Sequence, residues 1–332
     1  MRTHMKVVTG LSLVAAIRTL FISVILIGAP RVIAQYSFTP LQEPGEFGSI
    51  PMGFSQGRIF GFSYDTGAKT SGHEFTYDGV SFTQVNPPSG LPGYCSIVGM
   101  DGGVQLGQFI DDTFRTHGYI YDGSTTTILE DPKAASSFGI GTIPRAISGG
   151  TVVGYYQSGT GIDAYHGFVY KNGAFTTIDV PGEVDAMPTG LDGTAVAGDC
   201  TEWGPGATYL GFIYDGSRFQ IVNEPLAESG TWITGISGGT VVGYYNVVVG
   251  YLSVASHGFV YDGKHFITVD GPTSDVLSSE LTGISGDTIV GDYTDHNGAV
   301  HGFIGTPTVP EPGTVCLIVL AATSLRRRRK TV

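Results

Sequence analysis

Basic side chains are scarce in the body of this chain. The sequence holds 17 Lys and Arg against 29 Asp and Glu. Nine of the basic residues lie at the two ends: Arg2, Lys6, Arg18, Arg31, Arg326, Arg327, Arg328, Arg329 and Lys330, with one acid, Glu311. Residues 35–308 keep 8 basic and 28 acidic side chains, a formal net of −20. A surface of that sign repels nucleic acid and anionic lipid, which excludes both as partners of the body. It is compatible with divalent cations, or with simple solubility in an extracellular matrix. Cysteine is nearly absent: Cys316 lies in the tail, and Cys95 and Cys200 are the one pair in the body. No disulfide framework and no redox chemistry follow from so few. No window of the body carries apolar residues at helical spacing over three turns, which excludes a helical bundle.

Glycine and aromatics are abundant, with 51 Gly, 17 Tyr and 18 Phe, and they recur in register. One mark is a Gly after an apolar run: Gly61, Gly107, Gly154, Gly198, Gly243 and Gly291, spaced 44 to 48 residues apart. A second is the pair Glu74-Phe75, Gly118-Tyr119, Gly167-Phe168, Gly211-Phe212, Gly258-Phe259 and Gly302-Phe303, spaced 44 to 49 apart. Two independent marks give six copies of about 46 residues. The copy from Arg145 to Gly182 has four short runs rich in β-branched and aromatic residues, with Gly149-Gly150 and Asn172-Gly173 as two-residue turns. Such runs read as strands joined by hairpins. Four antiparallel strands per unit of this length predict a propeller blade.

The sixth copy stops after its third run, at Phe303-Ile304-Gly305, and the missing fourth run stands at the start of the body, Phe38 to Gly45. The fold expected is therefore all-β: a six-bladed β-propeller of four-stranded blades, closed by an N-terminal strand that completes the last blade. The other reading of residues 38–45 is a coincidental loop. Cys95 and Cys200 then fall two blades apart, too far for a bridge of normal geometry. Small residues such as Gly235-Ile236-Ser237-Gly238 suit strands next to the axis. The long, varied loops share one face, where function concentrates on a rigid ring. Trp203, Trp232, Asp111, Asp112 and Glu202 mark that face as a candidate ligand surface. The pairs Tyr155-Tyr156 and Tyr244-Tyr245 fit the core between blades better than the face.

The ends read as addresses. Residues 1–34 have a basic start, the apolar run Leu20–Ile27 and Val32-Ile33-Ala34 before Gln35, as in a signal peptide cleaved between Ala34 and Gln35. Arg18 interrupts this leader, so an uncleaved anchor is the alternative. Residues 309–332 place Val309-Pro310-Glu311-Pro312 before the apolar run Val315–Leu325 and then Arg326–Arg329. Eleven helical residues span about 16 Å, short of the roughly 30 Å hydrocarbon core, so the segment suits a transient tag better than an anchor. This tail resembles the PEP-CTERM sorting signal of Gram-negative bacteria. The resemblance implies export, recognition by an exosortase-type sorting enzyme, transient association with the inner membrane, and a destination at the cell surface or in the extracellular matrix. The body resembles the bacterial extracellular HAF repeats, with text such as VVGYY and HGFVY. That group brings no catalytic residues.

Other constellations fail on context. Gly235-Ile236-Ser237-Gly238-Gly239 matches a nucleophile elbow, but strands flank it on both sides and kindred text recurs at Ala146–Gly150 and Gly283–Asp287. His73, His117, His166, His257 and His301 hold equivalent places in five copies, which diverge on a ring; a repeated hydrogen bond or packing contact is expected of them. Asp292, Asp295 and Asn297 before Gly298 faintly resemble a calcium loop, but the spacing and terminal Glu of an EF-hand are missing. No cofactor is expected, with weak Ca²⁺ binding in the acidic loops as the alternative. The function expected is a non-enzymatic binding or structural module, with polysaccharide as its ligand. The alternative is a glycan hydrolase or lyase using acids that converge at the mouth of the channel.

Overall fold

The computed structural model describes residues 36–308, apart from 66–70, 136–140, 159–164, 203, 205, 207, 251–252 and 274–275. The leader, its cleavage site at Ala34 and Gln35, and the whole segment Val309–Val332 lie outside the described residues. The body is a six-bladed β-propeller, each blade a four-stranded antiparallel sheet. Blade three shows the pattern: Thr142–Ser148 innermost, then Thr151–Gln157, Tyr165–Lys171 and Ala174–Ile178 outermost. Its turns are those expected, with Gly149 and Gly150 at φ of 55° and 71°, and Asn172 and Gly173 at 51° and 82°. Both central residues at positive φ give the hairpin turn that matches strand twist.

Blade six takes its outermost strand from the start of the chain. Tyr36–Leu41 pairs antiparallel with Val300–Pro307, from Tyr36 opposite Pro307 to Leu41 opposite Gly302. The strand ends at Leu41 rather than running on to Gly45. Beyond it Glu46 N–H bonds back to the Glu43 carbonyl, a turn that leads into the inner strand of blade one. Side chains confirm the equivalence of the closing strand to the other outer strands. The six third-strand aromatics Phe75, Tyr119, Phe168, Phe212, Phe259 and Phe303 are all at most 1% exposed. In blades one, three, four and five an outer-strand phenylalanine meets that ring edge-on: Phe82, Phe175, Phe219 and Phe266. Phe38 does the same to Phe303 at 5.3 Å and 86°. Each such pair contributes about 0.5–1.5 kcal/mol beyond burial.

The apolar core lies between successive blades rather than in one centre. Val153 and Ile178 of blade three pack with Val196, Leu210 and Phe212 of blade four. Val242 and Val260 of blade five pack with Leu281, Ile289 and Phe303 of blade six, and Leu41 and Val290 of blade six with Ile59 and Phe75 of blade one. Near the axis the contact is backbone on backbone. A Cβ on Gly190 would stand 3.2 Å from the Cα of Gly235, one on Gly235 3.4 Å from Gly283, and one on Gly283 2.8 Å from Gly53.

The repeated second-strand glycine has a single structural cause. Every inner strand carries an extra residue at one shared register relative to its neighbour: Met52, Val98, Arg145, Thr189, Thr234 and Thr282, with a second shift near Leu277 in blade six. The glycine always stands opposite the residue just before that bulge, as Gly154 stands opposite Pro144 and Gly243 opposite Ile233. A Cβ on Gly154 would run into the carbonyl oxygen of Ile143, and one on Gly243 into that of Trp232. Gly154→Ala is therefore expected to destabilise the fold by about 1–3 kcal/mol in urea unfolding. Gly103→Ala, in a turn with no atom within 4 Å of the new Cβ, is expected not to lower stability. Equal stability of the two variants would contradict this account of the repeat.

Candidate functional site

The six bulged residues turn into a central channel of about 120 Å³, lined also by Gly53, Gly99, Gly190, Gly235 and Gly283. A bulge leaves its extra residue without a cross-strand partner and re-aims its side chain. In blades four and five that side chain is a threonine bonded to the next blade. Thr189 Oγ1 donates to the Ile233 carbonyl at 2.5 Å, and Thr234 Oγ1 to the Leu281 carbonyl at 2.6 Å. In blade three the same register holds Arg145, which is exposed to the channel. Its guanidinium makes no ion pair or hydrogen bond with any described residue.

Three further polar side chains gather toward the long-loop mouth. Asp199, on the second strand of blade four, is 7% exposed. Its Oδ1 accepts the Ile233 N–H of blade five at 2.7 Å. Burial pushes its carboxyl up to about 8; that one hydrogen bond and the positive charge of Arg145 act against the rise. Tyr244 of blade five has its phenol raised, by burial first and then by the negative charges of Glu280 and Asp199, with Arg145 opposing. Glu280 of blade six is raised by burial, against a hydrogen bond with Ser256. Arg145, Asp199, Tyr244 and Glu280 thus form one electrostatic cluster drawn from four consecutive blades.

Aromatic rings extend from this cluster over the same face. Tyr244 stands directly across from Trp232 in blade five and stacks on it at 5.2 Å and 12°. Trp232 meets Tyr209 of blade four at 5.3 Å, and Tyr155 meets Tyr165 of blade three at 5.3 Å. Tyr209 is near enough to Tyr165 to raise its phenol, after burial, Tyr155 and Asp185. Gly230, at φ 141°, lets the Trp232 ring lie against the backbone: a Cβ there would stand 2.7 Å from the indole. Tyr209 is 40% exposed, and Tyr155, Tyr165, Trp232 and Tyr244 are half-buried. Such a row offers flat apolar faces with polar rims.

Of the residues expected at the ligand face, Trp232 stands in this row. Trp203 lies outside the described residues. Asp111 and Asp112 stand apart in the loop between the second and third strands of blade two. Asp111 accepts hydrogen bonds from the Thr113 and Arg115 N–H groups, the Thr113 hydroxyl and His117, which hold its carboxyl well below the ordinary range. Asp112 is exposed. The Glu202 N–H donates to the Thr208 carbonyl across its own loop. Asp295 caps its loop in the same way as Asp111, accepting from the N–H groups of Asn297 and Ala299 and from His301. Asn297 thus offers a backbone N–H to Asp295, and Asp292 sits on the preceding strand. Among the described residues no three His, Cys, Asp or Glu are grouped to hold a metal ion.

The five equivalent histidines make the repeated contact expected of them. His117, His166, His257 and His301 stack on Phe109, Tyr156, Tyr245 and Tyr293, at centroid distances of 4.8 to 5.5 Å. Each also meets a carboxylate: His117 meets Glu130, His166 Asp179 and His257 Asp270, while His301 takes Asp295. His73 of blade one bonds Glu43 at 3.1 Å, just beyond the closing strand, and so ties blade one to blade six. The Tyr-Tyr pairs divide: Tyr156 and Tyr245 are 2% and 3% exposed in the core, whereas Tyr155 and Tyr244 reach the face. Strand alternation requires this split.

Arg145, Asp199 and Glu280 escaped sequence reasoning, though a signal exists. Arg145 stands in the register of Met52, Val98, Thr189, Thr234 and Thr282, where it is the one charged residue, whereas the register of Asp199 holds Phe62, Gln108, Tyr155, Tyr244 and Asp292 and follows no rule. Departure from the repeat marks Arg145 alone.

No family model matches the chain, and no curated protein matches it. Solved structures similar to it are β-propellers. The β-propeller domain of the Trilobed protease from Pyrococcus furiosus, described with an open velcro topology, is 11% identical, with a TM-score of 0.46 over 83% of this chain and 84% of that one. Aleuria aurantia lectin in complex with alpha-methyl-L-fucoside is 14% identical, with a TM-score of 0.47 over 81% and 99%. A ulvan lyase of polysaccharide lyase family 25 is 10% identical, with a TM-score of 0.39 over 75% and 82%. At these identities the likeness is one of fold.

The buried carboxyl has a consequence for stability. Folding raises the Asp199 pKa from the ordinary 3.8 to about 8, so across that window the folded chain keeps a proton that the unfolded chain has lost. Stability therefore falls as pH rises through it. Glu224 and Glu280, also raised by burial, act in the same direction. Asp111 and Asp295 are lowered and lose their contribution only in acid. Between about pH 5 and pH 8 the melting temperature is expected to drop more steeply for the natural chain than for Asp199→Asn, whose amide oxygen still accepts the Ile233 N–H. Parallel melting curves would refute a neutral Asp199.

Proposed function

We propose that this protein is an exported, non-enzymatic β-propeller that binds polysaccharide through the long-loop face of blades three to five. The carrying observation is the row Tyr155, Tyr165, Tyr209, Trp232 and Tyr244, beside polar groups at the channel mouth. Sugar rings present apolar C–H faces edged with hydroxyls, and stacked aromatics with polar rims match both. The acidic body argues against nucleic acid as a partner. The address comes from the ends: export by the leader cleaved at Ala34, then handling of Val309–Pro312 and Arg326–Arg329 by an exosortase-type sorting enzyme during transient membrane association. The destination is the cell surface or extracellular matrix of a Gram-negative bacterium.

A second reading, a glycan hydrolase or lyase, draws on Asp199. A carboxyl kept neutral near pH 7 is in the state of a general acid. Its burial behind the Ile233 backbone argues against contact with substrate, which favours binding over catalysis.

One experiment addresses both. The full chain and Trp232→Ala are screened on a glycan array, with and without Ca²⁺, and the solution is assayed for released sugars. Selective binding, weakened in Trp232→Ala by about 1 kcal/mol or more, is expected without product release. Binding to no glycan would sink the polysaccharide reading. Release of sugars would replace it with the enzymatic one, and a Ca²⁺ requirement would assign the acidic loops a role in binding.

A further inference from the structure

Arg145 is one of only eight basic residues in a body that carries 28 acids, and it stands in the channel rather than on the rim. The same register elsewhere holds Met52, Val98 and three threonines, and two of those threonines tie neighbouring blades together. Among the described residues Arg145 has no such structural partner. Its charge instead acts across the channel mouth, favouring the charged forms of Asp199 and Tyr244. A guanidinium left without a partner in a concave site is a fork for a planar or tetrahedral oxyanion.

We propose that Arg145 binds the acid group of a single anionic sugar unit, a carboxylate or a sulfate ester, whose ring lies against Tyr244 and Trp232. The proposal rests on the polysaccharide reading and names the chemical class of its ligand. Among the residues lining the channel Arg145 is the one charged group. The acidic body, at a net of −20, repels a polyanion, so the charge sits on one unit of an otherwise neutral glycan. Asp199 would compete for Arg145 if it were ionised. Burial keeps it neutral up to about pH 8, which leaves the guanidinium open. Tyr244 and Glu280 beside it are both raised by burial, and Asp292 stands across the strand pair from Glu280. The Tyr244 hydroxyl is then a donor for a sugar oxygen.

The test uses the full chain and three small probes: methyl β-glucuronide, the 6-sulfate of methyl β-glucoside, and methyl β-glucoside itself. Binding is followed by ligand-observed NMR. One of the two anionic probes is expected to bind at least about tenfold more tightly than the neutral one, and which of them does so identifies the acid group. Arg145→Gln is expected to abolish that preference while leaving the weak neutral binding in place. Arg145→Lys, which keeps the charge and loses the fork, is expected to fall between. Thermal melting checks that the variants fold. Equal binding of the three probes would overturn the proposal, as would an anionic preference that survives in Arg145→Gln, or binding of none. Polysaccharide binding on the array would stand through any of these results, so the two ideas fail separately.

Discussion

One extra residue in each inner strand governs the rest of this propeller. The bulge bends the strand next to the axis and brings a carbonyl of that strand against the second strand. Only glycine leaves room for it, as at Gly154 beneath Ile143 and Gly243 beneath Trp232. It also turns six side chains into the channel. The most regular mark in the sequence and the lining of the functional cavity are therefore one feature. At Thr189 and Thr234 the hydroxyl of the bulged residue ties one blade to the next, while Thr282 bonds within its own blade. Where the bulged residue is Arg145, the same geometry delivers a charge to the axis.

A ring of blades must also close. Its cores lie between neighbours, so an unpaired first or last blade would leave an apolar face and a strand edge in water. Tyr36–Leu41 covers the edge with a ladder, and Leu41 fills the core between blades six and one. Phe38 reproduces the edge-on contact that the other outer strands make. Glu43 then reaches His73 across the same junction. The histidine and carboxylate that brace a blade elsewhere here brace the seam between the chain's two ends.

The candidate site is built from exceptions to the repeat. Six equivalent blades would give a symmetric channel, with nothing to distinguish one side from another. Arg145 in a register otherwise uncharged, the buried Asp199, and Trp232 beside Gly230 break that symmetry over blades three to five. The aromatics that remain in register, Tyr155 and Tyr244, come to the surface there because their neighbours Tyr156 and Tyr245 take the core positions.

Fold class, blade count and closure were legible in the sequence because each depends on local text. Turn glycines at positive φ, alternating apolar runs and a six-fold period specify strands and hairpins, and a displaced fourth run specifies how the ring shuts. The structural duty of the histidines was legible for the same reason, since equivalent positions on a ring diverge. The site was not legible. Arg145, Asp199, Tyr244 and Glu280 belong to four blades, spread over more than 130 residues of chain, and no local pattern joins them. The end of the closing strand at Leu41, and which tyrosine of each pair is buried, also waited on packing. Sequence determines periodic, nearest-neighbour structure; only closure of the ring decides which singular residues from different repeats share one cavity, because that proximity exists solely across the axis.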